Sequence, residues 1–137
     1  MRNLTGTSLW LGHVGDARDP SRVHSAGLLA LVDLAAEEPP LAAPRGLVYH
    51  RLPLLDGAGN PPWLIRAAVD CAAGLLRANV PTLLYCSAGM SRSPVVAAAA
   101  VARVRGGSLV EVLAAIAAVG PLDASPALVA EVQAALA

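Results

Sequence analysis

Between Tyr85 and Pro94 the chain reads Tyr-Cys-Ser-Ala-Gly-Met-Ser-Arg-Ser-Pro, which sets one thiol, Cys86, and one guanidinium, Arg92, at the two ends of a short loop. A thiolate is a strong nucleophile, and a guanidinium presents a planar fork of donors that matches two oxygens of a phosphate, as a lysine cannot. The pair suits displacement at the phosphorus of a phosphate monoester. The apolar run Val80 to Tyr85 reads as a buried strand and the alanine-rich run Arg92 to Arg105 as a helix, so the loop lies at a strand-to-helix junction. Free N–H groups at a helix N-terminus carry positive partial charge, and several can point at one tetrahedral anion. Gly89 lets the backbone curl around it. The same field acts on Cys86, since a thiol pKa of ~8.5 falls to ~3.5–7.5 at a helix N-terminus or beside a cation. Arg92 is expected to bind the ground state and then the more charged oxygens of the transition state. Ser93 is placed to donate its hydroxyl to the sulfur. Ser87, Ala88, Gly89, Met90 and Ser91 complete the phosphate-binding loop with Arg92, and Ser87 and Ser91 chiefly shape it. The competing reading of Cys86 is a structural thiol in an apolar core. The order strand, Cys, Gly, Arg, Ser, helix favours catalysis, because the loop sits where its chemistry needs it.

Attack by a thiolate leaves an alkoxide or phenoxide that must be protonated, so a second group is required. Asp56 is the candidate, in the Gly-rich stretch Leu55-Asp56-Gly57-Ala58-Gly59-Asn60-Pro61 after the strand-like run Leu47 to Leu54. An aspartate beside glycine also suits an Asx-turn, the competing reading. Asp70 is the runner-up, but it falls inside the helical run Trp63 to Ala78, where a solvated face is the ordinary fate. The resulting mechanism is a two-step displacement through a cysteinyl-phosphate, with Asp56 acting first as acid and then as base. It calls for no metal and no cofactor, and His13, His24 and His50 show no ligand spacing with each other or with carboxylates.

The loop resembles the signature of the cysteine-dependent protein tyrosine phosphatases, His-Cys-x5-Arg-Ser/Thr, and most closely that of the small dual-specificity branch. Cys86, Gly89, Arg92 and Ser93 match that pattern. Tyr85 departs from it: the family's histidine helps order the loop and lower the thiol pKa, and a phenol can donate a hydrogen bond but cannot carry positive charge. The resemblance also implies a general acid in a loop at about the separation that Asp56 has from Cys86. Ser8 to Gly12 with Gly15 to Ala17 looks like the family's opening strand and turn, and Pro121 to Leu128 like the start of its last helix. In some relatives a second cysteine protects the nucleophile through a reversible disulfide, a role open to Cys71. The helical stripe Leu64, Ala68, Cys71 and Leu75 instead marks a buried apolar face, and that reading is preferred.

The chain alternates strands and helices. Strands are expected at Ser8 to Leu11, as an edge, at Leu28 to Leu34, Leu47 to Leu54 and Val80 to Tyr85. Helices are expected at Pro20 to Ala26, Pro61 to Ala78, Arg92 to Arg105, Ser108 to Val119 with Ser108 and Glu111 as a capping box, and Ser125 to Leu136. Glu37 to Gly46, rich in proline, reads as a linker between elements. The fold class is α/β, a central, mostly parallel sheet with helices on both faces and a phosphatase-like site at the carboxyl ends of its strands. Residues 1–137 suit a single phosphatase domain.

Composition narrows the partners. Formal net charge is zero, which offers no basic field for nucleic acid. All ten cationic side chains are arginine and phenylalanine is absent, a bias that suggests a GC-rich bacterial genome. The start Met-Arg-Asn-Leu-Thr-Gly lacks a secretory pattern, Val95 to Ala102 is shorter than the ~20 apolar residues that span a bilayer, and two cysteines make no disulfide framework. A cytoplasmic protein without membrane partners is the expectation. The substrate is a phosphorylated protein or a small phosphomonoester: the family's shallow clefts accept phosphoserine and phosphothreonine besides phosphotyrosine, and a chain this short has little room for pocket-deepening loops. The loop lacks the extra basic residues common in phosphoinositide-directed relatives. Two alternatives remain, a non-catalytic phosphate-binding module and a rhodanese-like sulfur transferase, whose cysteine loop is typically shorter.

Overall fold

Two strands, Ala30–Ala35 and Thr82–Cys86, are buried at every residue in the computed structural model, which describes residues 1–137. Strands covered on both faces need apolar side chains on both, and these two supply them. They are β3 and β5 of a five-stranded sheet ordered β1-β2-β5-β3-β4, with β1 Arg2–Asn3, β2 Leu9–His13 and β4 Val48–Leu54. β2, β5, β3 and β4 pair in parallel, and only β1 runs antiparallel. Ser8 to Leu11 is therefore not an edge, as expected from sequence; β1 covers β2 on its outer side. Two residues at the start of the chain carry no periodicity that would announce a strand.

Because side chains alternate along a strand, consecutive residues of β5 enter different cores. Leu84 and Cys86 join a cluster with Ile65 and Val69 of α3 (Pro62–Arg77), Val95 and Val96 of α4 (Arg92–Arg105), Ile116 of α5 (Leu109–Val119) and Leu128 of α6 (Pro126–Leu136). Leu83 and Tyr85 join a smaller cluster with Ala17 of α1 (Val14–Ala17) and Val23 of α2 (Pro20–Ser25). Helices thus lie on both faces of a mostly parallel sheet, the architecture read from sequence.

The caps depart in detail from expectation. Ser108 accepts from the Glu111 N–H at 3.1 Å, but the return bond of a capping box is absent there. A complete box forms at α1, a short helix that the sequence reading missed: the His13 ring accepts from the Gly15 N–H, and the Asp16 carboxylate accepts from the His13 N–H. Asp16 is fully buried; burial alone would raise its pKa, but the His13 N–H, Arg22 at 2.6 Å and the N-terminal amine together lower it.

Candidate active site

Four parallel strands bring their carboxyl ends to one edge of the sheet, so the loops that follow β2, β3, β4 and β5 meet there. Cys86 is the last residue of β5 and Arg92 the first of α4, and the loop from Ser87 to Ser91 joins them. Gly89 has φ +74°, and a Cβ at that position would lie 2.8 Å from the Gly12 carbonyl oxygen at the end of β2. Only glycine fits both the left-handed backbone and the close approach. From behind, Asp123 donates its N–H to the Met90 carbonyl at 2.9 Å, and the Ser91 hydroxyl accepts from the Ser125 N–H at 2.9 Å. Ser91, buried, ties the loop to the start of α6, which agrees with a shaping role.

Cys86 forms the floor of the loop, 2% exposed, and its sulfur lies 3.5 Å from the Ser93 hydroxyl. In that position Ser93 can donate to a thiolate. Arg92 is 4% exposed. Its Nη1 donates to the Leu54 carbonyl at 2.8 Å and to one Glu37 oxygen at 2.8 Å, and its Nη2 pairs with the other Glu37 oxygen. Nε is buried without a partner. The guanidinium is thus gripped along one edge and keeps a donor free on another, the arrangement in which it can still meet an oxyanion. Burial opposes the charge of Arg92, but Glu37 and the negative charges of Cys86 and Asp56 outweigh it and raise its pKa.

Glu37 was not anticipated. It lies in the segment read as a linker, accepts from both terminal nitrogens of Arg92 and from the Ser87 hydroxyl, and its carboxyl is held down to about 2, chiefly by the Arg92 hydrogen bonds. Arg51 of β4 fixes that segment by donating to the Glu38 carbonyl at 2.8 Å. No local pattern marks Glu37; an acidic pair between a buried strand and a proline run is the one hint available in sequence.

Asp56 is exposed in the loop between β4 and α3, and its charge reaches Arg92 across the site. Asp70 lies elsewhere: it pairs with Arg103 on the outer surface of α3 and α4. His24 is exposed on α2, His50 is half-buried on β4 and His13 caps α1. Cys71 is half-buried against the larger core, where burial raises its thiol pKa, in keeping with the apolar-face reading.

Tyr85 precedes the nucleophile but points to the opposite face of the sheet. It is 1% exposed; burial first, and then the Asp33 charge and the neighbouring Tyr49 hydroxyl, raise its pKa far above the ordinary phenol value. Tyr49 donates to Asp33 at 2.6 Å and accepts from the Leu41 N–H at 3.0 Å. The phenol therefore belongs to a buried polar cluster under the site and lends no charge to the sulfur.

No family model matches this sequence, and no curated protein matches it. Solved structures do. Human DUSP28 is 26% identical, with 95% of this chain and 92% of that chain covered at a TM-score of 0.81. In fold the chain is similar to the small dual-specificity branch of the cysteine-dependent protein tyrosine phosphatase superfamily. A mouse putative dual-specificity phosphatase, solved in complex with zinc tungstate, shares the fold at 24% identity, covering 93% of this chain and 81% of that chain with a TM-score of 0.79. So does the human tyrosine phosphatase-like serine/threonine/tyrosine-interacting protein, at 17% identity, 93% and 89% coverage and a TM-score of 0.76. Both of these likenesses are of fold alone, so the residues of the site, not its scaffold, must carry the chemistry.

Proposed function

We propose that this protein hydrolyses phosphoprotein monoesters, phosphotyrosine first and phosphoserine or phosphothreonine where a shallow cleft admits them, with residues 1–137 acting as one catalytic domain. The observation that carries the reading is the buried Arg92, held by Glu37 and the Leu54 carbonyl while its Nε–H stays unpartnered, at the end of the loop that begins with Cys86, whose sulfur meets the Ser93 hydroxyl. A phosphate seated against the loop would take two of its oxygens to Arg92 and the rest to backbone N–H groups of Ser87 to Arg92.

In the first step the Cys86 thiolate attacks phosphorus, the bond to the ester oxygen breaks, and Asp56 delivers its proton to the departing oxygen. In the second, Asp56 takes a proton from water, whose oxygen attacks phosphorus; the sulfur–phosphorus bond breaks and inorganic phosphate leaves. Ser93 stabilises the sulfur each time it regains its charge. The chemistry is that of a cysteine-dependent, metal-independent hydrolase. No helix is long and apolar enough to cross a membrane. A reducing cytoplasm would keep the thiol competent.

Hydrolysis of phosphotyrosyl and phosphothreonyl peptides in the presence of a chelator tests the proposal, with two variants beside the wild type. Cys86→Ser is expected to abolish turnover while phosphate still binds, and Arg92→Lys to lose most activity and weaken phosphate binding, because a point charge cannot rebuild the two-oxygen contact. Turnover near wild type in Cys86→Ser refutes the mechanism. Transfer of sulfur from thiosulfate at a comparable rate would move the chain to the rhodanese-like class.

A further inference from the structure

The loop that carries Asp56 is held from a distance. Asp56 is exposed, and the bonds that define its place are made by its neighbours. Asn60, 5% exposed, accepts from the Leu55 N–H through its side-chain oxygen at 2.7 Å, and its amide group donates to the Leu55 carbonyl at 3.1 Å and the Gly57 carbonyl at 3.1 Å. The three bonds bracket Asp56 on both sides. Asn60 is gripped in turn by Glu131, from near the end of the chain. One Glu131 oxygen accepts from the Asn60 N–H at 2.7 Å and the other from the Gly59 N–H at 2.8 Å. Gly59 has φ +102°, a backbone that places these two consecutive N–H groups within reach of one carboxylate.

The grip has a rigid base. Glu131 stands on α6 next to Val132, and Leu128 and Val132 of that helix are fully buried in the larger core. α6 also begins at the bond from Ser125 to Ser91, so one helix touches both the phosphate-binding loop and the acid loop. A half-buried helix glutamate can ordinarily turn its carboxylate to water, whereas both oxygens of Glu131 are taken by the loop.

From this placement we infer that Glu131 is a positioning residue for the general acid: through Gly59 and Asn60 it sets the loop conformation in which Asp56 reaches the leaving oxygen. The inference rests on the reading of Asp56 as the acid. It locates a determinant of catalysis on the last helix, outside the phosphate-binding loop and the acid loop themselves. Glutamine at position 131 keeps the size and one acceptor oxygen but turns an NH2 group toward an N–H donor, so one bond is replaced by a clash of donors.

Glu131→Gln, Asp56→Asn and the double variant are compared on phenyl phosphate, whose leaving group needs a proton, and on dinitrophenyl phosphate, whose leaving group does not. Glu131→Gln is expected to lower kcat/KM, which reports the step that expels the leaving group, about 10-fold on phenyl phosphate, the scale on which misplaced catalytic groups act, with kcat/KM on dinitrophenyl phosphate changed by less than about 2-fold. Asp56→Asn should show the same split more strongly, and the double variant should be no slower than Asp56→Asn, since misplacing an absent acid costs nothing. Glu131→Ala, assayed well below its thermal midpoint, repeats the comparison with both bonds removed. Equal losses on the two esters in the Glu131 variants, or independent losses in the double variant, overturn the inference while leaving Asp56 in place. An Asp56→Asn variant with no leaving-group split removes the acid assignment and this inference together.

Discussion

Replacing Glu37 with glutamine separates two roles of one carboxylate. In the wild type both Glu37 oxygens accept from Arg92, whose remaining contacts on that edge are the Leu54 carbonyl at 2.8 Å and the Leu34 carbonyl at 3.5 Å. Glutamine keeps one acceptor and loses the charge. A fully buried partner would make that loss worth ~3–5 kcal/mol, because an uncompensated guanidinium would remain inside the protein. The Glu37 side chain is 51% exposed, however, so water screens the pair and the expected loss of stability is about 1 kcal/mol. The sign with pH follows from the direction of the shift: a carboxyl lowered from 4.5 to about 2 in the folded state contributes its full stabilisation above 4.5 and loses it as pH falls toward 2. The difference in unfolding free energy between wild type and Glu37→Gln should therefore be constant from neutral pH to about 5 and shrink below it. Urea unfolding at a series of pH values measures this. Activity should fall further than stability, with kcat/KM at pH 7 reduced about 10-fold as Arg92 loses its alignment. A stability difference unchanged between pH 6 and pH 3, or an unaltered kcat/KM, would refute the view that the Glu37 charge holds the guanidinium.

Two further outcomes follow from the loop and the strand beneath it. Gly89→Ala places a methyl group 2.8 Å from the Gly12 carbonyl oxygen on a left-handed backbone, and should cost about 1–3 kcal/mol in stability and weaken vanadate inhibition; wild-type inhibition in that variant would show that the loop tolerates a different curl. Tyr85→Phe should cost about 1 kcal/mol in thermal unfolding, through the buried cluster with Asp33 and Tyr49, and leave the acidic limb of the pH–rate profile in place. A displaced limb would mean that the phenol does act on the sulfur.

Much of the candidate site could be proposed from sequence because its parts are adjacent there. A nucleophile, a tight glycine, a guanidinium and a helix start within one loop carry their own geometry, so Cys86, Arg92 and Ser93 could be named before any fold was known. The helices were placed with similar ease: Pro62–Arg77 and Arg92–Arg105 declare themselves by apolar spacing and by the residues that open and close them. Strand order was harder. A five-residue run such as Leu9–His13 looks the same at an edge as in the interior, and what covers it, Arg2–Asn3, has no pattern of its own.

By itself, then, the order of residues determined the make-up of the Cys86-to-Arg92 loop, on which the proposed chemistry rests, and the alternation of strands and helices, since both depend on neighbours within a turn or a short run. Tertiary structure alone decided which distant groups serve that loop. Glu37 reaches Arg92 across 55 positions and Glu131 reaches Asn60 across 71, and neither side chain sits in a pattern that requires its partner. Parallel strands make those meetings possible by collecting their loops at one edge, and a glutamate becomes a ligand for a guanidinium or a clamp on a loop only when the sheet brings the donor to it.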